Sequence, residues 1–160
     1  MAKELKTNAM RILDKNRIAY TLNTYTCPEF IDGVSVADQL GQPYESSFKT
    51  LVAVGKSGRH YVFVIPIAEE VDLKAAAKAV SEKAVELIPV KELLGLTGYV
   101  RGGCTPIGMK KAFPTVIHES VRQFDTVIIS GGRIGAQILL APADLLRVTG
   151  AATADIIRHD

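Results

Sequence analysis

Apolar positions recur along this chain at two spacings. From Thr7 to Asn16 the residues Ala9, Ile12 and Leu13, with Leu5 ahead of them, share one side of a 3.6-residue repeat. That spacing predicts a helix, with Thr7 able to cap it and Lys15-Asn16-Arg17 suited to its end. Ile18 to Tyr25 alternates instead, with Ile18, Tyr20 and Leu22 to one side, as in a half-buried strand. Cys27-Pro28 opens a loop, and a short helix is expected from a Ser35 cap through Val36, Ala37 and Leu40 to Gly41.

The next segments read mostly as strands. Phe48 to Val54 and Arg59 to Ile65 flank the turn Gly55-Lys56-Ser57-Gly58, a hairpin pattern. Asp72 is placed to cap a helix over Leu73 to Val80, and Lys83 to Leu87 suits a short strand. Pro89 introduces a helical Val90 to Leu94 that Gly95 is expected to stop. Thr115 to His118, Thr126 to Ser130 and Ile134 to Leu140 are further strands, the last two joined at the corner Ser130-Gly131-Gly132-Arg133. Pro142 opens a final helix through Val148, ended by Thr149-Gly150.

About seven strands mixed with four or five helices, without strict βαβ alternation, make an α+β fold whose mixed sheet is expected to curl toward a barrel. No repeat, low-complexity run or Pro/Gly/Ser-rich linker divides the chain, so its 160 residues are expected to form a single domain. Hydrophobic residues make up 48% and charged residues 22%, ordinary for a globular protein. The net charge of +2 is too small for a polyanion-coating protein, though Lys56, Arg59, Arg101, Lys110, Lys111 and Arg133 are candidates for a local basic face. Scattered solubility charges would look the same.

Cys27 and Cys104 are the only cysteines, and His60, His118 and His159 lie far apart. Neither a zinc site nor a disulfide framework fits that pattern, so no metal and no cofactor is expected. The opening Met1-Ala2-Lys3-Glu4-Leu5-Lys6 is charged and has no apolar core. No apolar run reaches the roughly 20 residues that span a bilayer. A cytoplasmic protein without membrane contact is expected.

Candidate chemistry concentrates in Thr97 to Gly108, where Gly98, Gly102, Gly103 and Gly108 surround a Thr105-Pro106 pair and Lys110-Lys111 follow. Glycine lets backbone approach a ligand closely, and Pro106 fixes one φ. Such a loop can point N–H groups at an anionic or carbonyl oxygen. It can equally be a plain turn between strands. No Gly-Lys-Ser/Thr follows, so it is not a Walker loop, and no helix-opening G-x-G-x-x-G follows a strand.

Lys49 sits at the mouth of an otherwise apolar strand and shares a face with Leu51 and Ala53. It is either a snorkelling surface lysine or, if that face meets a cleft, a fixed ammonium for an anionic or carbonyl group. Tyr20 either packs or lends its hydroxyl to a ligand. Ser130 lacks the G-x-S-x-G elbow and a nearby His-Asp pair, which argues against a serine-hydrolase triad. Cys104 has no nearby histidine to activate it, which argues against a thiol nucleophile.

Four segments then occur in one order: Phe48-Lys49-Thr50-Leu51, Leu73-Lys74-Ala75-Ala76-Ala77-Lys78-Ala79, Gly102-x-x-x-Pro106 running on to Ile107-Gly108-Met109-Lys110-Lys111, and Val127-Ile128-Ile129-Ser130-Gly131-Gly132. Together they resemble the YbaK/EbsC family, free-standing relatives of the editing domain of prolyl-tRNA synthetase. The resemblance covers nearly the whole chain, and its order is more specific than any one motif. It implies a strongly curved sheet flanked by helices and a trans-editing deacylase of Cys-tRNA(Pro), with prolyl-tRNA synthetase as a further partner. It also implies that Lys49, beside Thr50, is the essential side chain. Gly102, Gly103 and Pro106 would lie against the aminoacyl carbonyl and terminal adenosine, with Tyr20 and Ser130 lining the pocket.

One position departs from the pattern. Members often carry an aspartate seven residues after the serine, where this chain has Gln137, able to hydrogen-bond but not to act as a base. In the cysteine-specific relatives the substrate's own thiol attacks its carbonyl, so that the cleavage is lyase-like; with water it is a hydrolysis. Two other readings fit the same residues. One is a deacylase for another small ester, such as Ala-tRNA(Pro), using water. The other is a nucleotide- or tRNA-binding module without turnover.

Overall fold

The computed structural model describes residues 6–26 and 32–159. Helix α1 spans Asn8–Lys15, and the Thr7 hydroxyl caps it by accepting the Met10 N–H at 3.3 Å. Strand β1 (Thr21–Thr24) follows, shorter than the alternation of Ile18 to Tyr25 implied. Ile18 is buried ahead of the strand, whereas Leu22 is 40% exposed. Cys27 and Pro28 lie outside the described residues. Helix α2 (Gly33–Leu40) starts two residues before the expected Ser35 cap. Asp32 caps it instead, its carboxylate accepting the Ser35 N–H at 2.7 Å.

Strands β2 (Phe48–Gly55) and β3 (His60–Pro66) form the expected hairpin, with Lys49 opposite Ile65 and Thr50 opposite Val64. Helix α3 (Leu73–Ala79) has its Asp72 cap, and β4 is Val85–Leu87. A 3₁₀ turn over Val90–Glu92 leads into α4 (Leu93–Thr97), which runs through Gly95 and ends at Gly98 (φ 82°). Gly95 tolerates helical φ, and it is Gly98 that adopts the left-handed cap. Strands β5 (Thr115–His118), β6 (Val127–Ser130) and β7 (Ala136–Leu140), helix α5 (Pro142–Thr149) and β8 (Ala152–Ala154) complete the order. Strand β8 is short and built of small residues, so it carried no alternation to read.

The expectation of one strongly curved sheet is not met. The strands form two sheets, a three-stranded antiparallel β1-β7-β6 and a five-stranded mixed β4-β2-β3-β5-β8, and neither closes on itself. Between them runs one isolated bridge, Ser47 to Ile128, with the Ile128 N–H donating to the Ser46 carbonyl at 2.9 Å. Beyond it β2 and β6 make no ladder. A barrel would need the bridge to extend into a ladder; the absence of that ladder is what leaves room for a site.

The five-stranded sheet buries both faces, which is why β3 reads as one unbroken apolar run. One face carries Val52, Val62, Val64 and Ile117 against α1, β6, β7 and α5. The other carries Ala53, Phe63, Ile65 and Val116 against Ala76 and Ala77 of α3 and Ile156 of the C-terminal segment. Each fully buried side chain of this size contributes about 1.5–3 kcal/mol. Two cores therefore clamp β2 and hold Lys49 and Thr50 at a fixed height above the seam. Among the described residues no helix is long and apolar enough to cross a membrane.

Candidate active site

Beyond the Ser47–Ile128 bridge, between β2 and β6, a cavity of about 340 Å³ opens. It falls within the range of small-ligand sites. Lys49, Thr50 and Leu51 of β2 form one wall, and Ile128, Ile129 and Ser130 of β6 with Gln137 of β7 form the facing one. Arg101 and Gly102 of the glycine-rich loop stand at a third side, and Asp32 and Gly33 at the start of α2 at a fourth.

Lys49 is half-buried, and no described side chain hydrogen-bonds its ammonium. Burial pulls its pKa below the usual lysine value, and the carboxylates of Glu70, Asp32 and Glu69 partly oppose that pull. A half-desolvated cation with no hydrogen-bond partner among the described residues can take an oxygen from a ligand. Thr50 points to the opposite face of β2 from Lys49, so the strand edge presents both to the opening.

The glycine-rich loop is anchored from behind. The Tyr99 hydroxyl donates to the Ile107 carbonyl at 2.6 Å, and the Asn8 amide of α1 donates to the Gly108 carbonyl at 2.7 Å. Burial raises the Tyr99 phenol to about 12, so it remains a donor. Gly102 takes a left-handed φ of 87° and lines the cavity. Gly103 does not line it. Its N–H donates to the Val100 carbonyl at 2.9 Å, and its α-carbon abuts the Arg133 backbone. Of the two, only Gly102 brings backbone to the cavity wall. Pro106 is buried in the loop's rear rather than in the cavity wall.

Ser130 lines the cavity, and its hydroxyl accepts the Gly132 N–H at 3.2 Å, which sets the Gly131-Gly132 corner. Thr7 locks that corner by donating to the Gly131 carbonyl at 2.6 Å. Gln137 is 8% exposed and also lines the cavity. Tyr20 stands apart: it packs at the edge of the core with its hydroxyl toward Asp14, and burial, then the Asp14 carboxylate, raise its pKa. Of the eight residues singled out from the sequence, the cavity thus brings together Lys49, Thr50, Gly102, Ser130 and Gln137, and not Tyr20, Gly103 or Pro106.

The further lining residues include Tyr25, Asp32, Gln42 and Arg101, polar side chains that were not assigned to a site from the sequence. Arg101 was visible only as a basic-face candidate. Gln42, one residue past a helix-ending glycine, belongs to no motif and could be found only from coordinates.

Cys104 lines the cavity too, buried, with its thiol raised to about 12 by burial. No histidine lines the cavity among the described residues. A thiol held protonated without a base is a poor nucleophile. Cys104→Ala is therefore expected to retain most aminoacyl-ester cleavage, within about threefold of the parent rate. Loss of activity with an unchanged melting temperature would reverse that reading. Among the described residues, no group of three or more His, Cys, Asp or Glu side chains is placed to hold a metal ion.

Comparison with known proteins identifies the family. A family model described as the aminoacyl-tRNA editing domain matches residues 31–148. A protein of Enterococcus faecalis, provisionally named Cys-tRNA(Pro)/Cys-tRNA(Cys) deacylase EbsC, is 44% identical over 94% of this chain and 93% of its own length. Among solved structures, one provisionally described as a trans-editing enzyme for prolyl tRNA synthetase superposes with a TM-score of 0.81 at 25% identity, covering 98% of this chain and all of that one. The hypothetical protein APE2540 shares the fold with a TM-score of 0.86 at 24% identity, over 94% of this chain and 99% of that one. With a family match over most of its length and a relative this similar end to end, the chain belongs to the aminoacyl-tRNA editing family, among the YbaK/EbsC-like deacylases.

Proposed function

We propose that this protein deacylates Cys-tRNA(Pro) in trans, with the aminoacyl ester seated between Lys49 and Gly102. The observation that carries the reading is the half-buried Lys49 ammonium, which shares one small cavity with Gly102 and has, among the described residues, neither a hydrogen-bond partner nor an activated protein nucleophile beside it. An aminoacyl ester is already activated, so cleavage needs placement and stabilisation of charge on the carbonyl oxygen. Lys49 supplies the charge and the Gly102 N–H a fixed dipole. The substrate can supply the nucleophile: its sulfur bonds to the acyl carbon, the ester C–O bond breaks, and the thiol proton ends on the ribose oxygen. The products are a cyclic thioester and free RNA.

The test is release of labelled amino acid from a panel of charged RNAs. The reading expects cysteine to leave Cys-tRNA(Pro) faster than alanine or serine leaves the same RNA. Equal release of all three would favour water as the nucleophile. Binding without release of any would leave a binding module.

The RNA strand must approach past Arg101, Lys110 and Lys111, all exposed at the loop. Three phosphate contacts there would give log affinity a slope of about −2 against log salt concentration. An affinity that ignores salt between low and moderate ionic strength would place the RNA elsewhere.

A further inference from the structure

Two primary amides, Gln42 and Gln137, line the cavity, and the reading above uses neither. Strand register puts Asn23 of β1 opposite Gln137 of β7, and Gln137 opposite Ser130 of β6. Those three side chains form a row on one face of the small sheet. Gln42 enters from outside the sheet, directly after Gly41, whose left-handed φ of 67° ends α2. Its own N–H donates to the Ala37 carbonyl at 2.9 Å, which fixes where the side chain starts.

The two glutamines hold each other reciprocally. Gln42 Nε2 donates to Gln137 Oε1 at 2.7 Å, and Gln137 Nε2 donates to Gln42 Oε1 at 3.0 Å. Asn23 Nδ2 also donates to Gln137 Oε1, at 3.0 Å. A primary amide has two lone pairs and two N–H donors. Both lone pairs of Gln137 are therefore occupied and one N–H is used. Among the described residues, the capacity left on Gln137 is a single N–H donor. With Asn23 and Gln42 oriented as they stand, turning this amide over alone would set its NH₂ against the NH₂ groups of both.

A carboxylate at this position would accept hydrogen bonds only. Gln137 does the reverse: it adds a neutral donor to a cavity wall where it is nearly fully buried. A buried donor left unmade is costly, so the ligand that fills the wall is one that satisfies it.

We propose that Gln42 is a positioning residue: it holds Gln137 so that an N–H faces the acyl group, and this donor selects acyl side chains ending in a hydrogen-bond acceptor, a thiol or a hydroxyl, over a methyl. The inference rests on the deacylase reading for the ligand's identity. Lys49 and Gly102 occupy the walls assigned to the ester, which leaves the amide wall for the acyl side chain.

Binding separates this inference from turnover. Non-cleavable amide-linked cysteinyl-adenosine and alanyl-adenosine would be titrated calorimetrically into the parent protein, Gln42→Ala, Gln137→Leu and the double variant. The parent should bind the cysteinyl analogue about tenfold more tightly than the alanyl one. Each single variant should bring the two analogues near parity by weakening the cysteinyl analogue alone, and the double variant should be no worse than either single. A purely structural role would weaken both analogues together. Gln42 is only half-buried, so Gln42→Ala is expected to fold even if Gln137→Leu does not. A parent without preference, or a preference kept within twofold in Gln42→Ala, would overturn the proposal. Failure of the deacylase reading would show separately, as no release from charged RNA by the parent protein.

Discussion

Lys49→Ala is expected to lower release of cysteine from Cys-tRNA(Pro) by at least about 100-fold, the scale on which removing a preorganised charge or donor at a developing oxyanion acts. The same substitution should leave thermal stability unchanged or slightly raised. The ammonium is half-desolvated and has no hydrogen-bond partner among the described residues, so the folded state loses little when it goes. That split between activity and stability is the signature of a functional lysine. A snorkelling surface lysine would move neither quantity. Lys49→Arg should not restore the rate, because a planar fork cannot replace a compact ammonium in a cavity of this size. Cleavage within a few-fold of the parent in Lys49→Ala would remove the side chain from the reaction.

Gly103→Ala should unfold the loop rather than the chemistry. A β-carbon at Gly103 would lie 2.8 Å from the Arg133 α-carbon, 3.0 Å from its carbonyl carbon and 3.1 Å from the Ile134 nitrogen. All three are backbone atoms that cannot rotate away, so the loop must lift off the corner between β6 and β7. The expected cost is about 2–4 kcal/mol, read as a drop in melting temperature, with activity lost because Gly102 and Ser130 no longer share one cavity. Gly95→Ala is the matched comparison. Nothing lies within 4 Å of its β-carbon, and it sits in α4 without a positive φ. Alanine there should be neutral or stabilising by about 0.5–1 kcal/mol. Equal melting temperatures for the two variants would contradict the packing described for the loop.

Most elements were readable because each carried a local signal. Thr7 and Asp72 announced helix starts through their side chains, and the Gly55–Gly58 turn announced the hairpin. The misreadings have local causes too. Ser35 and Asp32 are both competent caps three residues apart, and coordinates alone show which oxygen meets which N–H. Gly95 looked like a stop because glycine usually is one, yet the left-handed residue is Gly98. The sheet's closure was misjudged for a different reason. Whether β2 and β6 form one bridge or a full ladder depends on how two packed cores tilt the strands, and no residue on either strand encodes that tilt.

The candidate site was legible where it is made of strand edges and glycine. Lys49, Thr50 and Ser130 lie on strands whose pattern fixed their faces, and Gly102 lies in a loop whose composition marked it. Gln42 was invisible because its importance comes from a partner 95 residues away. The Tyr20 hydroxyl turns to Asp14, while Tyr25, farther along, reaches the cavity.

The most direct measurement is a crystal structure with amide-linked cysteinyl-adenosine bound. The account predicts the acyl carbonyl between the Lys49 ammonium and the Gly102 N–H, with the thiol turned toward Gln137. An analogue seated instead in the shallow hollow beside His60 and Phe113, with the space between β2 and β6 left without it, would contradict the account.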